Sequence, residues 1–226
     1  MSKNVIAKNI CNLSRIPINM KDNPVYNTCL ELLNNPNIGY KDSSIYSFKF
    51  NPTTLGDIFG VSKLNGYGYT TVFLPWIHKK PQEKIIDQAF INFNRENKFN
   101  KIKGLMSSIS SVGYFPEKFP DRKKGIRGYW LEYKGKIKTY IISGNHRAAV
   151  LSALNIEIPF MYEDGNLLKH RETLGVGIDV MNYPSIFSDK SVDNWPAVKS
   201  GCINRHRLFY FYSPVYTAQY EQFLLL

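Results

Sequence analysis

Thr139-Tyr140-Ile141-Ile142-Ser143-Gly144-Asn145-His146-Arg147-Ala148-Ala149-Val150-Leu151-Ser152-Ala153-Leu154 is the stretch that decides the fold class. An apolar, β-prone run enters a Ser-Gly-Asn turn and continues as a helix-forming segment, so a strand hands over directly to a helix. The spacing predicts a short amphipathic helix from Asn145 to Leu154, then a strand over Ile158–Tyr162. Upstream, residues 129–133 and 138–142 flank Lys134-Gly135-Lys136, which predicts two strands joined by a tight basic turn.

Further upstream, two helices are expected at 82–93 and 97–112. In the second, Ile102, Leu105, Met106 and Ile109 recur at helical spacing and Gly113 closes the helix. Residues 69–74, entered through Gly66 and Gly68 and ended by Pro75-Trp76, read as a strand. Short helices are expected at 25–33, stopped by Asn34-Asn35-Pro36, and at 52–59, begun by a hydroxyl cap. Strands alternating with helices give an α/β class. The expected organisation is one domain: a helical N-terminal extension (1–65), a core (66–165) and an irregular, aromatic-rich C-terminal extension (166–226).

Composition bounds the rest. A chain of 226 residues, 43% hydrophobic and 14% aromatic, can bury a core, which excludes a disordered or fibrous protein. The longest apolar runs fall far short of the roughly 20 residues that span a bilayer. The first dozen residues lack the apolar stretch of a signal peptide, so the expected location is cytoplasmic. Cys11, Cys29 and Cys202 form no CxxC pair and predict neither a disulfide scaffold nor structural zinc. The net charge of +11 implies an attraction to polyanions without saying which. Its densest part is Arg122, Lys123, Lys124 and Arg127, followed by Lys134, Lys136 and Lys138, a pattern that also suits a hairpin edge kept soluble by lysine.

The turn at 143–147 is where chemistry is expected. The first N–H groups of a helix lack acceptors and carry the positive end of its dipole. Gly144 permits close backbone approach, Asn145 can cap, and the first helical turn adds His146 and Arg147. Together these donors would grip a phosphate. A capping Asn followed by a solvated His-Arg pair accounts for the same residues without a ligand.

Gly144-Asn145-His146-Arg147-Ala148-Ala149, set between a strand and an apolar helix and followed by Ile158-Pro159-Phe160, resembles the Gly-x-His-Arg signature of the ParB/sulfiredoxin superfamily. The segment Ser107-Ser108-Ile109-Ser110-Ser111-Val112-Gly113-Tyr114-Phe115-Pro116 is similar to that superfamily's Ser-Ile…Gly…Pro segment. The resemblance covers roughly 70–163. Leu74-Pro75-Trp76 and the stretch around Asp193-Asn194-Trp195-Pro196 resemble a branch associated with bacterial surface-polysaccharide biosynthesis. Simple packing of Trp76 and Trp195 is the plainer account of these tryptophans.

The resemblance implies a small mixed sheet with flanking helices. It also implies a site in which Ser143, Gly144, Asn145, His146 and Arg147 hold nucleotide phosphates, with His146 and Arg147 taking part in catalysis. Asn145 stands where sulfiredoxins carry the catalytic cysteine, so sulfinic-acid reduction has no nucleophile. Free-serine kinases of the superfamily carry Asp-Gly-His-His-Arg; only Gly144, His146 and Arg147 match here. The base is left open among Glu83, Asp87, Glu96, Asp121 and Glu132.

The expected activity is transfer of a phosphoryl group from ATP or another nucleoside triphosphate, with Mg2+, to a small hydroxyl-bearing metabolite, in one reading a surface-glycan precursor. His78, at the end of the first expected core strand, is a candidate for lining the substrate side. Two rival readings stand beside it. One is a non-catalytic module for a nucleotide or phosphosugar; the other, disfavoured, is a nucleic-acid-binding or nuclease domain. The Gly- and Pro-broken tail leaves little room for a recognition helix, and no carboxylate cluster is visible. His170-Arg171 and His206-Arg207 read as surface pairs.

Overall fold

The computed structural model describes residues 2–5, 10–12, 18–47, 88–115, 125–162, 186–201, 204–206, 209, 212 and 216. The helix expected at 52–59, the strand at 69–74 and His78 lie outside them. The described elements form a mixed α/β fold. In chain order they are β1 (Ser2–Val5), β2 (Ile10–Asn12), β3 (Ile18–Asn19), α1 (Pro24–Asn34), α2 (Ser44–Ser47), α3 (Gln88–Val112), β4 (Ile126–Tyr133), β5 (Lys136–Ser143), α4 (Asn145–Ala153), β6 (Ile158–Tyr162), β7 (Ile186–Ser188) and α5 (Pro196–Lys199).

The sheet is built around the β4–β5 hairpin. Its two-residue turn places Lys134 at φ 50° and Gly135 at φ 73°, the left-handed pair that matches the twist of two antiparallel strands. Lys136 therefore starts the second strand rather than belonging to the turn. The strand order is β1-β6-β4-β5-β2-β3. β6 runs parallel to the first part of β4, at Ile126–Gly128, and β7 runs parallel to its second part, at Trp130–Glu132, so the two share one edge of β4. β1 joins β6 antiparallel, β2 joins β5 parallel, and β3 joins β2 antiparallel.

Residues 1–65 therefore do more than supply helices: β1, β2 and β3 all belong to the central sheet, and β7 brings the C-terminal part into it. Strands of two to four residues carry too little alternation to be read from sequence.

The helical layer covers one face. α1 starts where Asn23 accepts the Val25 N–H at 2.8 Å, with Pro24 in the first turn where its missing N–H costs nothing. It buries Thr28, Cys29 and Leu32. α3 is a single helix from residue 88 across the stretch where the sequence suggested a break. Asn94-Arg95-Glu96 fell between the two expected helices, but none of these residues forbids helical backbone. Glu96 and Asn97 lie on the solvent side, whereas Phe99, Ile102, Met106 and Ile109 are buried. Gly113, at φ 87°, ends the helix with its N–H on the Ile109 carbonyl.

α4 departs from its expected amphipathic character. Ala148 through Ser152 are all buried, because the helix packs against α1, α3 and the sheet at once. Asn155, at φ 55°, terminates it with the Ile156 N–H bonded back to Leu151 at 2.8 Å. Ile126, Ile141, Ala148, Val150, Leu151, Ile102, Ile109, Cys29 and Leu32 form one continuous core, each large aliphatic contributing about 1.5–3 kcal/mol by burial.

Aromatic side chains cover the other face. Tyr129 stacks on Tyr140 at 5.5 Å, Tyr212 meets Tyr140 edge-on at 5.2 Å, and the Tyr129 and Tyr212 hydroxyls lie 2.7 Å apart. Tyr216 donates to the Leu131 carbonyl at 2.9 Å, and Phe209 packs on Tyr133. The aromatic-rich tail is in this sense a second packing layer. Trp195 is buried, in keeping with a packing role.

Candidate functional site

β5 ends at Ser143, whose register partner is Arg127 at the start of β4. Gly144 follows with φ 83° and ψ 21° and serves as the N-cap of α4, its carbonyl accepting from Ala148 at 2.9 Å. A Cβ at Gly144 would lie 3.0 Å from the Ile126 Cα and 3.1 Å from the Gly125 carbonyl oxygen. Glycine is thus required twice, for the left-handed backbone and for the close approach of β4.

This geometry corrects the expected role of Asn145. It does not cap. The cap is Gly144, with no side-chain bond, and Asn145 is the first helical residue. Gly144 has no side chain to cap the first N–H groups of the helix, those of Asn145, His146 and Arg147. The Asn145 Oδ1 is buried without a hydrogen-bond partner.

His146 and Arg147 are partly buried in the first turn, beside α3. Burial, reinforced by the charges of Lys98, Lys101 and Arg147, pulls the His146 imidazole down from 6.5 to about 4. At neutral pH it is an uncharged ring with one N–H to donate. Lys98 and Lys101 lie one turn apart on α3. Only the packing of α3 against α4 brings their charge to bear on the His146–Arg147 turn, and among the described residues the charged groups acting on His146 are cations. Their spacing next to the buried Phe99 and Ile102 was the available signal.

The depressed His146 has a testable consequence. Between pH 6.5 and about 4 the unfolded chain binds a proton at this ring that the folded chain does not, so stability falls as pH falls. The full span is worth about 3 kcal/mol. His146→Gln should flatten that slope, read as urea midpoints at pH 7 and 4.5; an unchanged slope would place the ring in water.

The described members of the basic cluster do not form one patch. Arg127 is buried, at 8% exposure, beside Ser143, while Lys134 and Lys136 are exposed on the hairpin about 20 Å away along β4. Lys138 donates to the Asn19 Oδ1 at 2.6 Å. Arg122, Lys123 and Lys124 lie outside the described residues.

Among the carboxylate candidates, Glu132 sits at the hairpin end of β4 with Lys190 at 3.7 Å, far from the 143–147 turn. Glu96 is exposed; Glu83, Asp87 and Asp121 lie outside the described residues, as do His78 and His170. Among the described residues no group of three or more His, Cys, Asp or Glu could hold a metal ion. Burial pushes the Cys29 thiol up to about 12, which makes it a packing residue rather than a nucleophile. His206 is exposed, as expected of a surface pair.

Comparison with protein-family models, with curated proteins and with solved structures finds no match. The site stands on its own geometry. No described helix is long and apolar enough to cross a membrane.

Proposed function

We propose that this chain holds the phosphates of ATP or another nucleoside triphosphate at the β5–α4 turn and transfers a phosphoryl group to a small hydroxyl-bearing metabolite. The observation that carries the reading is a helix start capped by a left-handed glycine, which carries Arg147 and a neutral His146 on which Lys98 and Lys101 act. Phosphate suits such a site because helix N–H groups, a guanidinium and ammonium groups all donate to its oxygens. The strand–Gly144-Asn145-His146-Arg147–helix–strand order supports kinship with the ParB/sulfiredoxin superfamily.

In this reading the backbone of Ser143, Gly144 and Asn145 cradles the phosphates. Arg147 offsets charge on the transferred group, and His146 donates one hydrogen bond to a phosphate oxygen. Mg2+ would travel with the nucleotide, held mainly by phosphate oxygens and water. Phosphoryl transfer depends chiefly on positioning and charge, which this turn supplies. The acceptor we infer is a sugar or amino-acid hydroxyl, in keeping with the resemblance to surface-polysaccharide proteins.

A second reading, a binding module without turnover, is favoured by one observation: among the described residues, the charges acting on the site ring are cations. Calorimetry with ATP·Mg2+ followed by a transfer assay across sugars and hydroxy amino acids separates the two. Micromolar binding with label transferred to one acceptor supports the kinase; binding with no transfer leaves the module; no binding removes both. Affinity for duplex DNA that collapses between 50 and 200 mM salt would instead favour backbone binding of nucleic acid.

A further inference from the structure

The end of the β4–β5 hairpin gathers cations and apolar surface that the 143–147 turn does not use. Lys134 and Lys136 are exposed on either side of Gly135. Tyr133 packs on Phe209 and Tyr216, with ring centroids 5.3 and 5.1 Å away, and the Lys134 Nζ sits 5.3 Å over the Tyr133 ring. Lys138 lies over Tyr216 at 6.0 Å. Between Lys136 and Lys138 stands Ile137 at 53% exposure; among the described residues no other large aliphatic of a strand is so exposed.

Three carboxylates lie in the same region, and each already has a donor. Glu132 meets Lys190 at 3.7 Å, Asp193 meets Arg205 at 3.0 Å, and Asp189 accepts the Lys134 backbone N–H at 3.0 Å. The ammonium groups of Lys134, Lys136 and Lys138 take no part in these ion pairs, so the hairpin end keeps a positive excess.

Lysines alone would keep a hairpin soluble. An isoleucine exposed between lysines, beside a tyrosine, adds the apolar part that a boundary between water and lipid rewards. Side chains alternate along β5, so Ile137 projects from the face opposite Lys136 and Lys138, and only an approach by the tip engages both faces. A membrane surface accepts that approach: acyl chains take Ile137, the headgroup level takes the Tyr133 ring, and lipid phosphates meet the ammonium groups. A nucleic acid strand would use the cations and leave Ile137 idle. We propose that the tip of the β4–β5 hairpin docks this chain on an anionic lipid surface, at a site separate from the 143–147 turn.

The experiment is co-sedimentation of the full chain with vesicles of phosphatidylcholine alone or mixed with phosphatidylglycerol. Wild type should bind only the mixed vesicles, and less as salt rises from about 50 to 500 mM. The double variant Lys134→Asn/Lys136→Gln removes two charges but keeps the turn, since Asn accepts left-handed backbone, and should weaken binding about thirtyfold. Ile137→Thr keeps a β-branched residue in the strand and should weaken it about tenfold. Both variants should melt with the wild type, and the salt series on wild type reads the electrostatic half without any variant.

Equal binding to neutral vesicles, no binding to anionic ones, no salt dependence, or full binding by either variant would each overturn the proposal. So would a single-stranded oligonucleotide that binds where vesicles do not and is weakened by the double variant, which would assign the cluster to nucleic acid.

Discussion

Gly128→Ala is expected to prevent the chain from folding to its native sheet. A Cβ at this position would stand 1.7 Å from the Tyr140 carbonyl oxygen and 2.7 Å from its carbon, both of them backbone atoms of the adjoining strand. No rotamer change relieves such a contact; β4 and β5 would have to separate. Gly128 sits where their register shifts, between Arg127 and its own pairing with Ile141, and β6 ends beside it at Tyr162. Displacing it therefore disturbs three strands together with the packing of Tyr129 on Tyr140. The cost should exceed the usual 1–3 kcal/mol of overpacking and reach most of a typical domain's 5–15 kcal/mol. Insoluble expression, or a soluble form without a cooperative melt, is the expected outcome. Gly104, with open space around its missing Cβ, is the control, and Gly104→Ala should be neutral or stabilising in the middle of α3. A Gly128→Ala protein that melts like wild type would show that the strands do not approach as described.

Arg147→Ala is expected to move binding and stability in opposite directions. A guanidinium at a helix start faces the positive end of the dipole, and here Lys98 and Lys101 add their positive charge around the same His146 ring. In the free protein these cations repel one another, so removing one should raise stability by about 0.3–1 kcal/mol at low salt. With phosphate bound, the same guanidinium makes charge-assisted hydrogen bonds worth about 1.5–3 kcal/mol, so ATP affinity should fall roughly ten- to a hundredfold. Arg147→Lys should fall between, keeping the charge but losing the planar fork. Lys101→Ala should repeat the pattern on a smaller scale because Lys101 is exposed. Calorimetry and thermal melts on the same samples check both halves. An Arg147→Ala protein that is less stable and binds ATP unchanged would make the arginine a structural residue.

The sequence carried the hairpin, α1, β6 and the strand-to-helix turn, because each has local chemistry that forces it. Lys134-Gly135 can only be a tight turn between two β-prone runs. Asn23-Pro24 opens a helix, and Gly144 breaks one backbone conformation from another. The turn proposed as the site was legible as a strand-to-helix junction. Gly144, His146 and Arg147 stand together as read, while Asn145 shifted from cap to first helical residue because Gly144 took the cap with left-handed backbone.

Three features could not be read locally. The short strands β1, β2 and β3 have too few residues to show alternation, and their existence depends on partners far along the chain. Lys98 and Lys101 look like any solvated lysines until α3 lies against α4. The neutrality of His146 is likewise a property of packing, not of its sequence neighbours.

The pairing of Ile10 with Thr139 and of Val5 with Ile158 places an order on events during synthesis. The opening segment emerges from the ribosome long before its partners exist, and it must wait, unpaired and open to other chains, until the hairpin and α4 have emerged. Closing such distant ends carries a large entropic barrier. Refolding from denaturant should therefore be slow, with the β4–β5 ribbon and its helix assembling first and the flanking strands docking last.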